Sequence, residues 1–387
     1  MKRTKGRTKV NKRKNISLAT MFIFIVMITV LILVMVLTKD SDFSDRENRV
    51  LAQMPSFSWA SVTDGSFMEN AEDYVADQFS FRNSWITIKL YFDRLLGKNE
   101  INGVYIGSKN QLFEIPDDVN QEEVDNNLQA ISAFAERHKD LNTCVCLAPT
   151  ACAVLTDLLP ANAPLRDETA DISNAGAALG DSVTFIDVTE TLKTHADEYI
   201  YYRTDHHWTS LGAKYAFEEI APHMGIDASY AQYDVYTVSN SFHGTLSSKC
   251  GLYSSADSVD IYVNTADYNY VVNYIEAGNK TASIYDSSKL DQKDKYEVFF
   301  GGNTSRIDIE TTNSSGKSLL IIKDSYANCF VQFLLPYYQN ITIVDPRYYT
   351  ENIDNLITNN SVTDILFLYN INTFNGDRYI ADVLAAQ

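Results

Sequence analysis

A histidine-rich segment contains the residue types and the spacing most suited to acid–base chemistry. Residues 201–212 read YYRTDHHWTSLG. Asp205 and His207 are two positions apart, so on an extended segment they share one face. The carboxylate can then accept a hydrogen bond from one ring nitrogen, fix the tautomer and stabilise the imidazolium formed when the ring takes a proton. The spacing predicts Asp205 as an orienting acid and His207 as a base, with Trp208 as a wall of the site.

A second segment supplies a candidate nucleophile for this base. Residues 319–327 read LLIIKDSYA, in which four apolar residues precede Lys323, Asp324 and Ser325. This pattern predicts a buried strand that delivers Ser325 to its carboxyl end, where α/β folds place their sites. Backbone N–H groups at the start of the next helix can bind an oxyanion. A serine is a weak nucleophile without a base, and His207 is the best candidate.

Each of these motifs has a structural alternative. An Asp-x-His pair can be a local hydrogen bond, and Ser325 or Asp324 can simply cap a helix. Adjacent histidines also suggest a metal, but we expect His206 and His207 to point to opposite faces, and no third ligand is spaced nearby. The sequence therefore predicts no metal site, and His206 is expected to bind substrate or to pack.

The N-terminus has the pattern of a membrane anchor. Residues 1–14 contain eight Lys or Arg and no acid, and residues 16–37 contain no charge. Roughly 20 apolar residues suffice to cross a bilayer, and no small-x-small cleavage site follows. The pattern predicts an uncleaved signal anchor whose basic end stays cytoplasmic, with residues 39–387 outside the cell.

Charge and cysteine content limit the function classes. Without the eight N-terminal cations, the chain contains 24 basic and 50 acidic residues. Such a surface repels nucleic acids and anionic headgroups, so nucleic-acid binding is excluded. The five cysteines form neither a metal pattern nor an obvious disulfide framework. We expect buried thiols, and a bridge involving Cys250 stays open as an alternative.

Strands that alternate with helices predict an α/β domain with a mainly parallel sheet. Helices are predicted from Ser66 to Leu96 and from Tyr326 to Tyr337. The strand- and turn-rich part at about 228–312 contains 10 of the 24 tyrosines, and we interpret it as a β-rich insertion. The predicted organisation is a basic cytoplasmic tail (1–15), a transmembrane anchor (16–38), a membrane-proximal connector and helix (39–100), and the α/β domain (101–387).

Two of the motifs carry a resemblance to a known family. Asp205-His206-His207-Trp208 and Lys323-Asp324-Ser325 resemble the DHHW protein family. That family is similar to the SGNH-hydrolase-like O-acetyltransferases of bacterial cell-surface polysaccharides, including the alginate acetylation proteins. The resemblance extends from about residue 47 to the C-terminus and implies an SGNH-hydrolase-like fold.

The resemblance also implies roles for individual residues. In the alginate-type relatives the Asp-x-His pair precedes the serine, which implies Asp205 as orienter, His207 as base and Ser325 as nucleophile. The implied activity is serine-dependent: an acyl-enzyme whose acetyl group passes to a sugar hydroxyl or to water. The other candidates are Asn328 and Asn370 as oxyanion donors, with Trp208, His206 and Arg347 as substrate-binding residues. A structural salt bridge is an equal alternative for Arg347.

The implied partners follow from the location. The acceptor would be a cell-surface polysaccharide. Since coenzyme A is cytoplasmic, the resemblance implies a multi-spanning membrane-bound O-acyltransferase as acyl donor, and no cofactor. One rival function is a non-catalytic glycan-binding or scaffold protein of the cell envelope. Another is a metal hydrolase that uses His206.

Overall fold

The computed structural model describes residues 3–44, 46–47, 49–266 and 269–385, with side chains from residue 15 onward. Asn48 and the side chains of the basic tail up to residue 14 therefore lie outside the described residues. The chain divides into two compact units, Met1–Gly97 and Lys98–Gln387.

The first unit contains one long apolar helix and several short elements. Within its first helix, Asn15–Leu37 is apolar and long enough to cross a membrane, and its side chains are largely exposed. The elements of this unit are α1 (Arg3–Leu37), β1 (Phe43–Ser44), β2 (Arg49–Val50), α2 (Trp59–Thr63), α3 (Ser66–Gln78) and α4 (Arg82–Leu95).

The second unit alternates strands and helices around a large sheet. Its strands are β3 (Glu100–Ile101), β4 (Val104–Ile106), β5 (Leu112–Glu114), β6 (Asn142–Ala148), β7 (Thr184–Ile186), β8 (Tyr233–Phe242), β9 (Asp257–Asn264), β10 (Tyr270–Tyr274), β11 (Asn279–Thr281), β12 (Arg306–Thr311), β13 (Ser318–Lys323), β14 (Asn340–Val344) and β15 (Asp364–Asn370). Its helices are α5 (Gln121–Arg137), α6 (Ala151–Val154), α7 (Glu168–Ala178), α8 (Thr189–Thr194), α9 (Ser210–Ile220), α10 (Thr245–Cys250), α11 (Ile353–Asn359), α12 (Ile371–Phe374) and α13 (Ile380–Leu384).

The large sheet has the strand order β11-β10-β12-β14-β13-β15-β6-β7. The pairs from β14 to β7 are parallel, whereas β12, β10 and β11 pair antiparallel at the other end. The predicted α/β fold with a mainly parallel sheet is confirmed. Part of the predicted β-rich insertion extends this sheet, and β8 and β9 form a separate antiparallel pair.

The parallel strands are buried on both faces. Leu319 and Ile321 of β13 belong to one core cluster, and Leu320 and Ile322 to the cluster on the opposite face. Successive side chains of a strand point to opposite faces, so a continuous apolar run indicates a strand covered on both sides. This burial makes β13 a rigid support for the residues that follow it.

Two predicted helices differ from the structure. The helix expected from Ser66 to Leu96 breaks between α3 and α4, where Phe81 has a positive φ of 62°. The helix expected from Tyr326 to Tyr337 consists of two 3₁₀ turns, Ser325–Asn328 and Val331–Phe333.

The 3₁₀ geometry has a physical reason in two side chains. Trp208 Nε1 donates to the carbonyl of Tyr326 at 2.9 Å, and Gln332 Nε2 donates to that of Cys329 at 2.5 Å. Each carbonyl thus binds a side chain instead of the N–H four residues later, which an α-helix requires.

All five cysteines are buried, and none of them forms a disulfide bond. Burial raises the pKa of Cys144 to about 11 and that of Cys329 to about 12. The expectation of buried thiols is confirmed, and Cys250 forms no bridge.

Candidate active site

Ser325 follows the central strand β13 directly. The side chain of Asp324 accepts a hydrogen bond from Tyr326 N at 2.9 Å and so caps the 3₁₀ turn that begins at Ser325. Its other oxygen accepts from Asn370 N at 3.0 Å and from Asn370 Nδ2 at 2.5 Å. Asp324 is therefore the cap, which leaves the Ser325 hydroxyl available to other partners.

The histidine segment is a tight loop rather than an extended strand. A β-bridge joins Tyr201 to Trp208, and Tyr202 N donates to His207 O at 3.2 Å. The chain bends between these positions, so the rings of His206 and His207 lie on the same side, with centroids 3.9 Å apart. The expectation that the two histidines point to opposite faces was wrong, because alternation applies to extended backbone only.

The two loops meet through one chain of hydrogen bonds. His207 Nδ1 lies 2.6 Å from Asp205 Oδ1, and His207 Nε2 lies 2.7 Å from Ser325 Oγ. A carboxylate only accepts, so we assign the ring proton to Nδ1, which leaves Nε2 to accept from the Ser325 hydroxyl. Asp205 and His207 are 3% and 6% exposed, whereas Ser325 is partly exposed. The arrangement can remove a proton from the hydroxyl of a partly exposed serine.

Asp205 is held from the side by α10. Thr245 donates to Asp205 Oδ2 through its backbone N at 2.8 Å and through Oγ1 at 3.0 Å. The hydroxyl in turn accepts from His206 Nδ1 at 2.8 Å. A Cβ at Gly244 would lie 2.3 Å from Asp205 Cβ, so only glycine fits at that position. The predicted site residue His206 thus supports the carboxylate, with a quarter of its side chain exposed.

Tyr296 completes the site, and the motifs in the sequence did not indicate it. Its ring stacks on His207, with centroids 3.9 Å apart and planes 14° apart, and its hydroxyl donates to Ser325 O at 2.8 Å. Tyr296 lies in a 3₁₀ turn of the β-rich region, Lys295–Val298. Tyrosines are frequent throughout that region, so no local signal could have singled it out.

Burial and charge set the protonation states. Burial, with help from the charge of His206, lowers the pKa of His207 to about 4, although Asp205 opposes the shift. Burial alone would raise the pKa of Asp205, but the two histidines and the hydrogen bonds that it accepts lower it overall. Burial and the charge of Asp205 also raise the pKa of nearby Asp294 to about 6. A neutral imidazole beside an ionised carboxylate results at neutral pH, which is the state that a base requires.

The structure places the predicted substrate-binding residue Trp208 in the interior. Its side chain is fully buried, and its ring lies 5.1 Å from that of Tyr326 between centroids. Tyr326 in turn donates through its hydroxyl to His206 O at 2.6 Å. These two aromatic residues lock the histidine and serine loops together, so Trp208 supports the site from beneath instead of lining its surface.

Arg347 forms a bidentate ion pair with the fully buried Asp345, through Nε at 2.8 Å and Nη2 at 2.6 Å. Lys323, also buried, lies 3.5 Å from the same carboxylate. Of the two predicted roles for Arg347, the structure provides the salt bridge.

The predicted oxyanion donors are engaged with other groups. Asn370 Nδ2 donates to Asp324 and, at 2.6 Å, to Thr373 Oγ1, which uses both of its hydrogens. Asn328 Nδ2 donates to Asn303 Oδ1 at 3.1 Å. Among the described residues the backbone N–H of Ser325 has no hydrogen-bond partner, which makes it the best-placed donor for an oxyanion.

Asp205, His206 and His207 could also contribute to a metal site, because one ligand atom of each lies within 4.8 Å of the others. Three donors of this kind suit a divalent metal ion. However, His207 Nδ1 and Asp205 share a hydrogen bond, and His206 Nδ1 bonds to Thr245. A metal bound through the two Nδ1 atoms would have to displace both of these bonds.

Comparisons with known proteins agree with this architecture. The model of the DHHW protein family matches residues 166–344. A DHHW family protein from Eubacterium siraeum is 24% identical with a TM-score of 0.63, and the match covers 74% of this chain and 98% of that one. The structure of Bacillus cereus PatB1 with a sulfonyl adduct is 21% identical with a TM-score of 0.61, over 72% of this chain and 99% of that one.

A third solved structure resembles the chain less closely. The O-acetyltransferase domain of Pseudomonas putida AlgJ is 13% identical with a TM-score of 0.46, over 73% of this chain and 98% of that one. No curated protein matches the chain in sequence. The family match together with the first two structures confirms the resemblance to the DHHW family and the α/β fold that it implies.

Proposed function

We propose that this chain is a membrane-anchored, outward-facing O-acetyltransferase or acetyl esterase that acts on a cell-surface polysaccharide. One observation carries the proposal: Ser325 Oγ lies 2.7 Å from His207 Nε2, and His207 Nδ1 lies 2.6 Å from Asp205. A nucleophile, a base and an orienting acid in hydrogen-bond reach are the signature of acyl transfer through a covalent intermediate.

In the first half of the proposed reaction, Ser325 Oγ attacks the carbonyl carbon of an acetyl ester. The hydroxyl proton passes to His207 Nε2, and Asp205 stabilises the resulting imidazolium. The carbonyl oxygen becomes an oxyanion, for which the Ser325 N–H is a candidate donor. The bond to the leaving alcohol then breaks, the alcohol takes the proton from His207, and an acetyl-serine remains.

In the second half, a sugar hydroxyl or water attacks the acetyl-serine. His207 takes the proton of the attacking group and returns it to Ser325 Oγ, so the enzyme is regenerated. Whether sugar or water reacts depends on how well the site positions the hydroxyl and excludes water. Transferase and esterase therefore differ in the acceptor and share the same residues.

The location and partners of the proposal rest on the N-terminal helix and on the resemblance to the DHHW family. The span Asn15–Leu37 would anchor the chain, and the basic tail would keep the N-terminus in the cytoplasm. A cell-surface polysaccharide would then be the acceptor. A membrane-bound O-acyltransferase would supply the acyl group, since coenzyme A does not leave the cytoplasm.

The test is hydrolysis of a small acetyl ester by the full chain in detergent, compared with Ser325→Ala. We expect the variant to lose roughly 10⁴-fold or more in kcat/KM, because a triad member is removed. Ser229→Ala is the matched control, since Ser229 is exposed and, among the described residues, its hydroxyl bonds only to Asp227. Equal activity of the Ser325→Ala and parent proteins would reject the mechanism.

A sulfonyl fluoride adds a second readout that does not depend on the choice of substrate. PatB1 has been solved with a sulfonyl adduct, and such electrophiles react with activated hydroxyls. We expect one adduct in the parent protein and none in Ser325→Ala, by intact-mass spectrometry. A parent protein that neither turns over ester nor takes up the probe would favour a glycan-binding or scaffold function.

The cluster of Asp205, His206 and His207 makes a metal hydrolase the second candidate. In the serine mechanism we expect dialysis against a chelator to leave ester hydrolysis unchanged. A loss that zinc restores, in a protein whose Ser325→Ala variant is still active, would favour the metal reading instead.

A further inference from the structure

Helix α4 exposes its apolar side. Phe81, Trp85, Ile88, Phe92 and Leu95 recur at helical spacing on one side of the helix and are between 46% and 82% exposed. We call these five residues the α4 stripe. On the other side Leu90 and Asp93 are buried. A helix of a water-soluble fold normally buries its apolar side, and in this helix the orientation is reversed.

The α4 stripe begins beside the membrane-crossing candidate. Ser80, directly before the stripe, donates through its hydroxyl to Leu31 O at 3.1 Å and is 6% exposed. Leu31, Val34 and Met35 share one face of α1 and are partly buried, whereas the preceding residues of the span are exposed. The span and the start of α4 are therefore in direct contact.

The depth of this contact can be estimated. Leu31 lies six residues before the end of the span at Leu37, which corresponds to about 9 Å along a helix. Interfacial helices bury their apolar face by roughly 5–10 Å. In a span whose outer end at Leu37 lies at the bilayer surface, the first turn of α4 would have the depth that such a helix occupies.

Two aromatic residues at this end fit the same environment. Trp85 Nε1 donates to Ser80 O at 3.2 Å, so the indole is fixed while 46% of the residue is exposed. Tryptophan is enriched at membrane–water interfaces. Phe81 adopts a φ of 62°, which is unfavourable for a bulky residue, and its side chain is 65% exposed. Phe81 is thus an exposed aromatic residue at a position where the backbone conformation is itself unfavourable.

We propose that α4 is an interfacial helix, with the α4 stripe buried among the acyl chains of the bilayer that surrounds the span. The inference rests on the membrane anchoring proposed above and adds a second, peripheral contact with lipid. The stripe starts one hydrogen bond away from the span, so the medium that surrounds the span also surrounds the first stripe residues. That continuity favours lipid over a second copy of the chain.

The test uses the full chain in nanodiscs and the emission of Trp85. A Trp59→Phe protein retains two tryptophans, Trp85 and the buried Trp208. The emission of the double variant Trp59→Phe, Trp85→Phe comes from Trp208 alone, and subtracting it gives the emission of Trp85. We expect lipid brominated near the top of the acyl chains to quench most of the Trp85 emission, and aqueous iodide to quench little of it.

A matched pair of variants links this signal to the stripe. Ile88→Glu places a charge in the stripe, and Asn83→Glu places the same charge at an exposed position on the opposite side of α4. We expect the first to restore most of the emission lost to bromine and the second to leave the quenching unchanged. Both variants should hydrolyse a soluble ester as the parent does, because Ser325 belongs to the other unit.

Two results would overturn the proposal. Emission that iodide quenches and bromine does not would place the stripe in water. Emission that neither quencher affects, in nanodiscs that contain two copies, would identify a second chain as its cover. A failure of the anchor is distinguishable, since the chain would then not float with lipid vesicles. A failure of the catalytic proposal would appear only in the ester assay.

Discussion

The two loops that meet at Ser325 each bury a carboxylate, and the pKa values of these two carboxyl groups shift in opposite directions. Asp205 is 3% exposed and Asp324 is 1% exposed. Burial pushes both pKa values upward. For Asp205 the charges and hydrogen bonds of the histidines outweigh burial, so its pKa is lowered. For Asp324 the hydrogen bonds of Asn370 and Tyr326 and the more distant cations only partly offset burial, so its pKa is raised.

This difference separates the chemical role that we propose for Asp205 from the structural role of Asp324. A buried carboxylate that stays ionised beside an imidazole can stabilise the charge that develops there during proton transfer. A buried carboxylate held by backbone and amide N–H groups fixes the backbone instead. Burial is nearly equal in the two loops, so the partners of each carboxylate determine what it does.

Among the substitutions that test this comparison, we expect replacement of Asp205 to have the largest effect on kcat. In Asp205→Asn the amide can no longer accept from His207 Nδ1 as a charged partner, and the ring loses its correct tautomer. We expect kcat to fall by roughly 10⁴-fold with little change in KM. Steady-state kinetics on a soluble acetyl ester measure the change, and circular dichroism controls for folding. A decrease in kcat of less than about tenfold would contradict an orienting role for Asp205.

The pH profile is the next test, and its sign follows from His207. The base must be neutral to accept a proton, and its pKa is lowered to about 4. Activity should therefore be present above about pH 4 and decline tenfold per unit as the pH falls through that value. The measurement is kcat/KM as a function of pH, with folding checked at each pH. It gives the pH at which activity declines on the acidic side, which we call the acidic limb. A limb near the ordinary histidine value of about 6.5 would show that burial does not control this group.

The sequence predicted the parts of the site that depend on local pattern. The apolar run before Lys323 specified a buried strand, and the structure brings Ser325 at its end to His207. The Asp-x-His spacing also placed Asp205 beside its imidazole. The extended geometry assumed for that segment was wrong, because the bridge between Tyr201 and Trp208 bends it.

The residues that the sequence did not reveal come from distant parts of the chain. Thr245 and Tyr296 reach the site from α10 and from the β-rich region, 40 and 29 residues away from their partners Asp205 and Ser325. Their side chains are common types with no distinctive spacing, so only the packing of the folded chain reveals them. The exposure of the apolar side of α4 could not be predicted from the sequence for a similar reason. Periodicity shows that a helix has an apolar side, but it does not show what covers that side.

Replacing Asp324 probes the other half of the comparison. Asp324→Asn would point an amide group at the N–H donors of Asn370 or lose the cap on Tyr326 N. Either outcome leaves a buried polar group unsatisfied and should lower the free energy of unfolding by roughly 1–3 kcal/mol. Denaturant titration measures this. We expect kcat to fall far less than in Asp205→Asn, and an equal loss would show that both carboxylates take part in the chemistry.

Tyr296 gives the smallest expected effect and links the two loops. Tyr296→Phe keeps the ring on His207 and removes the hydroxyl. This hydroxyl donates a hydrogen bond to Ser325 O and also interacts with the thiol of Cys329. The net contribution of such a bond is about 1 kcal/mol, which corresponds to roughly fivefold in kcat. Tyr296→Leu also removes the stacked ring and opens the site to water, so the His207 pKa should rise and the acidic limb should move to higher pH. If Tyr296→Leu leaves that limb unchanged, the ring does not shield His207, and burial must come from the loops alone.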